Sequence, residues 1–301
     1  MSAIKDVLQS LFFDDLDIIS TTLQFMQYVA SIAAVGSILL MLTLRTAKTS
    51  QQTESHFWRQ AQIGAFLLLL LVPLQILHLL TNLFDSDWSL IFSTEAIELL
   101  AEISTGHSAA LCFASAAMLL ICCWRQWLGL GCVSAAAILG SFLLTGHTVS
   151  FEHAQPSSLP EYSLTALLFV HLLLLHWWIA VIWPLRQMAK QQDPFTVQIS
   201  HNFGRQAMFA VPLLLVAGGL LLVNLVNWQL DLSQSYQAWF LLKLVFVTLI
   251  LMIAALNKLR YATNLSNQTE FKAFSNSLAF ELFVSVLILA ATSIAINVGL
   301  Q

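Results

Sequence analysis

The feature that most constrains this chain is a series of long apolar segments separated by short polar ones. A helix that crosses a bilayer needs about 20 mostly apolar residues. Eight segments of that kind lie near residues 19–44, 61–84, 106–124, 127–146, 163–185, 206–228, 237–258 and 276–298. Charged residues make up only 9% of the 301 residues, against about 25% in soluble domains. The sequence therefore predicts an all-α membrane helix bundle, with residues 1–301 forming a single transmembrane domain.

The basic residues predict how these helices are oriented. Of the 12 Lys and Arg residues, all but Lys5 and Lys243 fall at segment ends that the order of the spans places on one side: Arg45, Lys48, Arg59, Arg125, Arg186, Lys190, Arg205, Lys258, Arg260 and Lys272. The positive-inside rule makes that side cytoplasmic, so both termini are expected to be extracytoplasmic. Residues 85–105 then form an extracytoplasmic loop. Its stretch 90–104 is too acidic to span the membrane and suits a helix that lies on the surface.

Several classes of protein are disfavoured by the composition. The four cysteines lie within or next to apolar runs, which argues against a disulfide framework. The net charge of −4 gives no indication of a nucleic-acid partner, and membrane lipids are the expected surroundings. A P-loop of the form GxxxxGK[ST] does not occur in the sequence, which argues against an ATP-driven pump.

Six of the eight histidines fall in the half of the membrane that the charge pattern makes the outer one. The tripeptide TGH occurs twice, ending in His107 at the start of the third span and in His147 at the end of the fourth. A short turn joins these two spans, so their outer ends should be neighbours. His78 lies near the outer end of the second span, and His171 lies about 10 Å into the fifth at ~1.5 Å per residue. His176 lies deeper, near the midplane.

This concentration of histidines predicts a metal site. Ionisable residues inside a membrane are costly and often functional, and neutral imidazole is the commonest metal ligand among side chains. We predict a site shared by His78, His107, His147 and His171, with His176 as a deeper ligand. The alternative for any single histidine is a hydrogen bond to a carbonyl on the next helix. His171 and His176 point about 140° apart on one helix, so they should not ligate one ion together.

Lys243 is the one basic residue predicted within the apolar part of a span, the seventh. Its side chain could extend toward the membrane surface or bind an anion, such as the carboxylate of a ligand. It is therefore the candidate residue for binding a cofactor.

A set of short motifs carries a resemblance to a known family. They are Gly146-His147, His171-Leu172-Leu173 with Trp178, Phe203 and Arg205 with Gly218 and Asn224, Tyr236 with 241–244 and 255–258, and Glu281. Their order over residues 140–298 resembles the copper resistance D (CopD/PcoD) family of bacterial inner-membrane proteins. The chain departs from the family pattern at Leu168, where the family often has an acidic residue.

The resemblance implies eight helices in the bacterial inner membrane. It also implies movement of copper, as Cu(I) or Cu(II), from the periplasm toward the cytoplasm. A small periplasmic copper-binding protein is the implied partner.

Two other functions remain open at this stage. In a b-type haem protein moving electrons from quinol, His147 could ligate the haem iron with His171 or with His78, and Lys243 could meet a haem propionate. An assembly factor that inserts copper into a respiratory oxidase would look the same in sequence as an uptake protein. Copper handling by a transporter or metal-handling protein, rather than catalysis, is the prediction, and no catalytic residue is assigned.

Overall fold

The computed structural model describes residues 17–44, 51–145, 161–226, 235–260 and 268–299. Of these residues, 93% are helical and none lies in a strand, which confirms the predicted all-α class. Eight helices in the described ranges are long and apolar enough to cross a membrane, as predicted.

Within the described ranges the chain forms a series of helices. In chain order they are α1 (Ile18–Leu44), α2 (Gln51–Leu83), α3 (Trp88–Ile91), α4 (Thr94–Glu102), α5 (Ser104–Arg125), α6 (Leu128–Thr145), α7 (Glu161–Ala180), α8 (Ile182–Lys190), α9 (Thr196–Val226), α10 (Ser235–Arg260) and α11 (Gln268–Gly299). The candidate spans are α1, α2, α5, α6, α7 with α8, α9, α10 and α11. The fifth span is interrupted after Ala180, because Pro184 has no N–H to donate to the Ala180 carbonyl. Gln60 Nε2 donates to that carbonyl instead, at 3.3 Å.

The acidic segment between the second and third spans forms two short helices, α3 and α4. Asp87 caps α3, and its carboxylate accepts hydrogen bonds from the hydroxyl of Ser89 at 2.7 Å and from its backbone N–H at 2.9 Å. These bonds favour the ionised form, so they hold the pKa of Asp87 below its usual value. Ile91 and Ala96 are buried against Leu80 at the end of α2. The extracytoplasmic position of the segment stays a prediction.

The described residues divide into two compact units. The first contains the described parts of Met1–Tyr28, Ile182–Arg205 and Gln229–Gln301, and the second contains Val29–Val181 and Gln206–Trp228. In the first unit α11 packs against α8 and α10. Asn297 of α11 accepts a hydrogen bond from the Ser20 hydroxyl of α1 at 2.8 Å and donates one to Gln24.

The second unit is organised around a close contact of α1 with α2. A Cβ placed on Gly64 of α2 would overlap the backbone N of Ala34 and the backbone O of Ala30. Lipid tails are as apolar as the helices themselves, so helices in membranes associate largely by van der Waals packing, and small residues allow that close approach. The alanines and the glycine therefore fix the spacing of the first two spans.

The contact of α1 with α7 is equally close. A Cβ on Gly36 of α1 would overlap the Ala180 Cβ and the backbone O of His176. Residues Ile32–Gly36 of α1 form a π-helical turn at this contact. Such turns insert one extra residue into a helix, and they are frequent at functional sites. The π turn and Gly36 together position α1 against α7, the helix that carries His176.

The Gly64 contact generates a stability prediction. We expect Gly64→Ala to lower the melting temperature in detergent, because the added methyl meets backbone atoms that cannot rotate away, at a cost of about 1–3 kcal/mol. The matched control is Gly140→Ala in α6, where a Cβ would meet no atom within 4 Å. Equal melting temperatures for the two variants in a thermal unfolding assay would contradict the packing described above.

Candidate metal site

His171 lies on α7 and faces α9. Its Nδ1 is 3.3 Å from the Leu214 carbonyl oxygen. A carbonyl can only accept a hydrogen bond, so this contact assigns the proton to Nδ1 and the lone pair to Nε2. Histidines that bind metals typically donate their other ring N–H to a carbonyl or carboxylate in this way. The His171 ring is therefore held in a tautomer whose lone pair lies on Nε2, one of the two ring nitrogens that can bind a metal.

Gly218 makes room for this ring. A Cβ on Gly218 would lie 2.8 Å from Cε1 and 3.0 Å from Nδ1 of His171. Gly218 lies one turn after Leu214 on α9, so the carbonyl and the glycine belong to the same face of that helix. The absence of a side chain at this position lets the imidazole lie against the α9 backbone.

His176 has a different environment. Its Nδ1 is 2.7 Å from the Leu172 carbonyl oxygen of its own helix, so Nδ1 carries the proton. Nε2 then accepts a hydrogen bond from the Ser31 hydroxyl of α1, at 2.9 Å. The side chain is only 2% exposed, and the Phe142 ring lies 6.4 Å from the imidazole, centroid to centroid. A metal ion at Nε2 would have to displace Ser31, so these contacts favour a structural role for His176, and its role as a deeper metal ligand stays a prediction.

The two histidines of α7 thus contact different neighbours, as their spacing predicts. His171 reaches α9, whereas His176 reaches α1. Neither partner, Leu214 or Ser31, could be identified from the sequence. The recurrence of Ala and Gly at positions 30, 34 and 36 was a usable signal for the close α1 contact, but it does not reveal which hydroxyl meets His176.

The other predicted ligands lie at the ends of helices. His78 is half-buried near the end of α2, and its Nε2 is 3.4 Å from the side-chain nitrogen of Asn82. His107 is exposed in the first turn of α5, a helix that packs against α2. His147 lies outside the residues that the structure describes.

The predicted ligands that the structure describes are His78, His107, His171 and His176. Within the described ranges, no three side chains of His, Cys, Asp or Glu lie close enough together to hold a metal ion. The site shared by His78, His107, His147 and His171 stays a prediction.

Lys243 belongs to the other compact unit, on α10. Its Nζ lies 5.7 Å from the centroid of the Phe240 ring, one turn earlier on the same helix. This is a cation–π distance, and it gives the ammonium group a favourable contact in an apolar setting. Binding of an anionic cofactor by Lys243 stays a prediction.

The architecture places the protein in the class of multi-pass membrane proteins. Residues 197–295, which are 99 of the 301 residues, match the family model described as Copper resistance protein D. The predicted family resemblance is confirmed over this segment, which contains the motif positions from Phe203 to Glu281. Gly146-His147 and His171 precede it. No curated protein and no solved structure matches the chain significantly.

The contacts of His176 generate a second prediction. We expect Ser31→Ala to destabilise the protein by about 1–3 kcal/mol, because it removes the hydroxyl that donates to a buried acceptor. Bound copper should be unchanged, since His176 is not assigned as a ligand in this arrangement.

The control for this variant is Ser134→Ala. Ser134 is also buried, but its hydroxyl returns to the Leu130 carbonyl of its own helix at 3.0 Å. Thermal unfolding and elemental mass spectrometry on each variant provide the two measurements. Loss of copper from the Ser31 variant, with normal stability, would contradict the structural role of His176.

Proposed function

We propose that the protein binds copper at histidines of the outer leaflet and takes it up, or transfers it, from the periplasm toward the cytoplasm. The observation that carries this proposal is the match of residues 197–295 to the copper resistance protein D family. The tautomer of His171 also supports the proposal, because the proton on Nδ1 places the imidazole lone pair on Nε2.

The donor set that we propose suits copper in either oxidation state. Imidazole nitrogen is a good ligand for copper, and copper is the cargo here rather than a resident cofactor. In the proposal His171 is the ligand anchored within the bundle. His78 and His107 supply further imidazoles from the ends of α2 and α5, where a metal ion can enter, and His147, which follows α6 in the sequence, supplies another.

The cellular setting belongs to the same proposal. We place the protein in the bacterial inner membrane, with a small periplasmic copper-binding protein delivering the ion to the exposed end of the site. The exposure of His107 in the first turn of α5 is compatible with such a delivery step. Nothing among the described residues or in the comparisons favours the haem alternative.

Copper stoichiometry provides the first test of the proposal. The purified protein is exposed to excess copper, washed, and analysed for copper and iron per chain by elemental mass spectrometry. We expect stoichiometric copper in the unaltered protein and a clear loss in His171→Ala, because the anchored ligand is gone. The control His201→Ala removes an exposed histidine near the start of α9 and should retain copper.

Two results would overturn the copper proposal. One is stoichiometric iron with little copper, which would indicate the haem alternative. The other is equal copper in the His171 and His201 variants. Uptake is separated from simple binding by reconstitution into liposomes, where transport requires copper to accumulate inside the vesicles.

A fourth prediction uses adjacent glycines of α9. We expect Gly218→Ala to lower copper affinity by about 10-fold, the lower end of the effect of disturbing the residues that orient a metal ligand. The added methyl would push the His171 ring away from the Leu214 carbonyl. Gly219→Ala is the matched control, because a Cβ there would meet no atom within 4 Å. Isothermal titration calorimetry on both variants measures the difference, and equal affinities would remove His171 from the site.

A further inference from the structure

A buried carboxyl group lies between two helices of the first compact unit. It is far along the sequence from the candidate metal ligands. Glu281 of α11 is 5% exposed, and Asn257 of α10 is 6% exposed. The side-chain nitrogen of Asn257 donates to Glu281 Oε1 at 2.9 Å. The nearby Ser285 hydroxyl donates to the backbone carbonyl of Glu281, at 2.9 Å, and not to the carboxyl group. Asn257 is therefore the side chain that binds this carboxyl.

The carboxyl group has no positively charged partner among the residues that the structure describes. Helix α11 packs most extensively against α8 and α10. Helix α1 also contacts it at Asn297, but α1 carries no charged residue. The charged side chains on α8, α10 and α11 besides Glu281 are Arg186 and Lys190, Lys243, Lys258 and Arg260, and Glu270 and Lys272. None of the basic ones forms an ion pair with Glu281. An ionised carboxylate left unpaired in the interior of a membrane bundle is costly, so it requires neutralisation.

The amide group of Asn257 indicates that a proton neutralises the Glu281 carboxylate. Asn257 Oδ1 is buried and has no hydrogen-bond partner within the described part of the chain. A carboxylate offers only acceptors to this oxygen, whereas a protonated carboxyl group offers an O–H donor. With the proton present, acid and amide can exchange two hydrogen bonds, N–H to Oε1 and O–H to Oδ1. If the nitrogen and oxygen of the amide are interchanged, two acceptors lie 2.9 Å apart, which again requires a proton on Glu281.

We propose that Glu281 and Asn257 form a proton-binding site within the membrane. In this site the Glu281 carboxylate takes one proton from a hydronium ion of the aqueous phase, which leaves a water molecule, and becomes a neutral carboxylic acid. Asn257 binds both oxygens of the acid. The proton is exchangeable: it leaves when the carboxyl group ionises. Carboxyl groups that carry protons inside helix bundles are typical of transporters and pumps. The proposal goes beyond copper handling and does not depend on it.

The site is tested by infrared spectroscopy on the full-length, metal-free protein in lipid vesicles. We expect a carbonyl-stretch band of a protonated carboxylic acid at neutral pH, and a shift of that band in D₂O because the proton exchanges. Raising the pH should remove the band as the acid ionises. Glu281→Gln should abolish the band, while its amide still pairs with Asn257 and preserves the fold. The control Glu98→Gln, which removes an exposed carboxyl group of α4, should retain it.

A second variant tests the pairing itself. Asn257→Ala removes the acceptor for the acid proton, so the band should move to higher frequency in the variant. An unshifted band would overturn the role of Asn257. Identical spectra for the unaltered protein and Glu281→Gln would overturn the site, as would a band that does not respond to D₂O. Because copper is absent throughout, failure here leaves the copper proposal intact, and loss of the copper proposal leaves this one intact.

Discussion

The close packing of α1 is the interaction on which the second compact unit depends. Its alanines and Gly36 bring its backbone against Gly64 of α2 and Ala180 of α7. Lipid provides no hydrophobic force to hold apolar helices together, so this close fit has to supply much of the association energy. The same contact determines which side chain of α1 meets His176. The hydrogen bond from Ser31 follows from the packing and does not cause it.

The spans could be predicted from the sequence because the thickness of the bilayer fixes their apolar length. The helix ends could not. The second, sixth and eighth spans were predicted from hydropathy to begin at residues 61, 206 and 276. The corresponding helices begin at Gln51, Thr196 and Gln268. A helix can continue beyond the apolar region with polar residues, and hydropathy does not register those turns. Hydropathy therefore locates the part of a helix in lipid rather than the whole helix.

The candidate site was only partly predictable for a related reason. The regular turn of a helix correctly separated His171 from His176, since that angle depends on one helix alone. Their partners depend on the rotation of neighbouring helices and, at Ser31, on a π turn that shifts the face of α1. One extra residue in a helical turn does not change the hydropathy profile of the sequence, so hydropathy cannot predict it. The pairing of Asn257 with Glu281 was missed for the same reason, although both residues belong to the family motifs.

Hydrogen bonding separates the roles of three polar groups within the helices. Polar atoms in a membrane interior have to find partners within the protein. His176 has its two ring nitrogens bonded to Leu172 and Ser31, and it is accordingly a fixed part of the packing. His171 Nδ1 lies against the Leu214 carbonyl oxygen, which places the ring lone pair on Nε2. Asn257 Oδ1 has no hydrogen-bond partner among the described residues, although the amide lies beside a carboxyl group. A proton is the smallest ligand that completes that pair, so the proton site that we propose differs in its chemistry from the copper site that we propose.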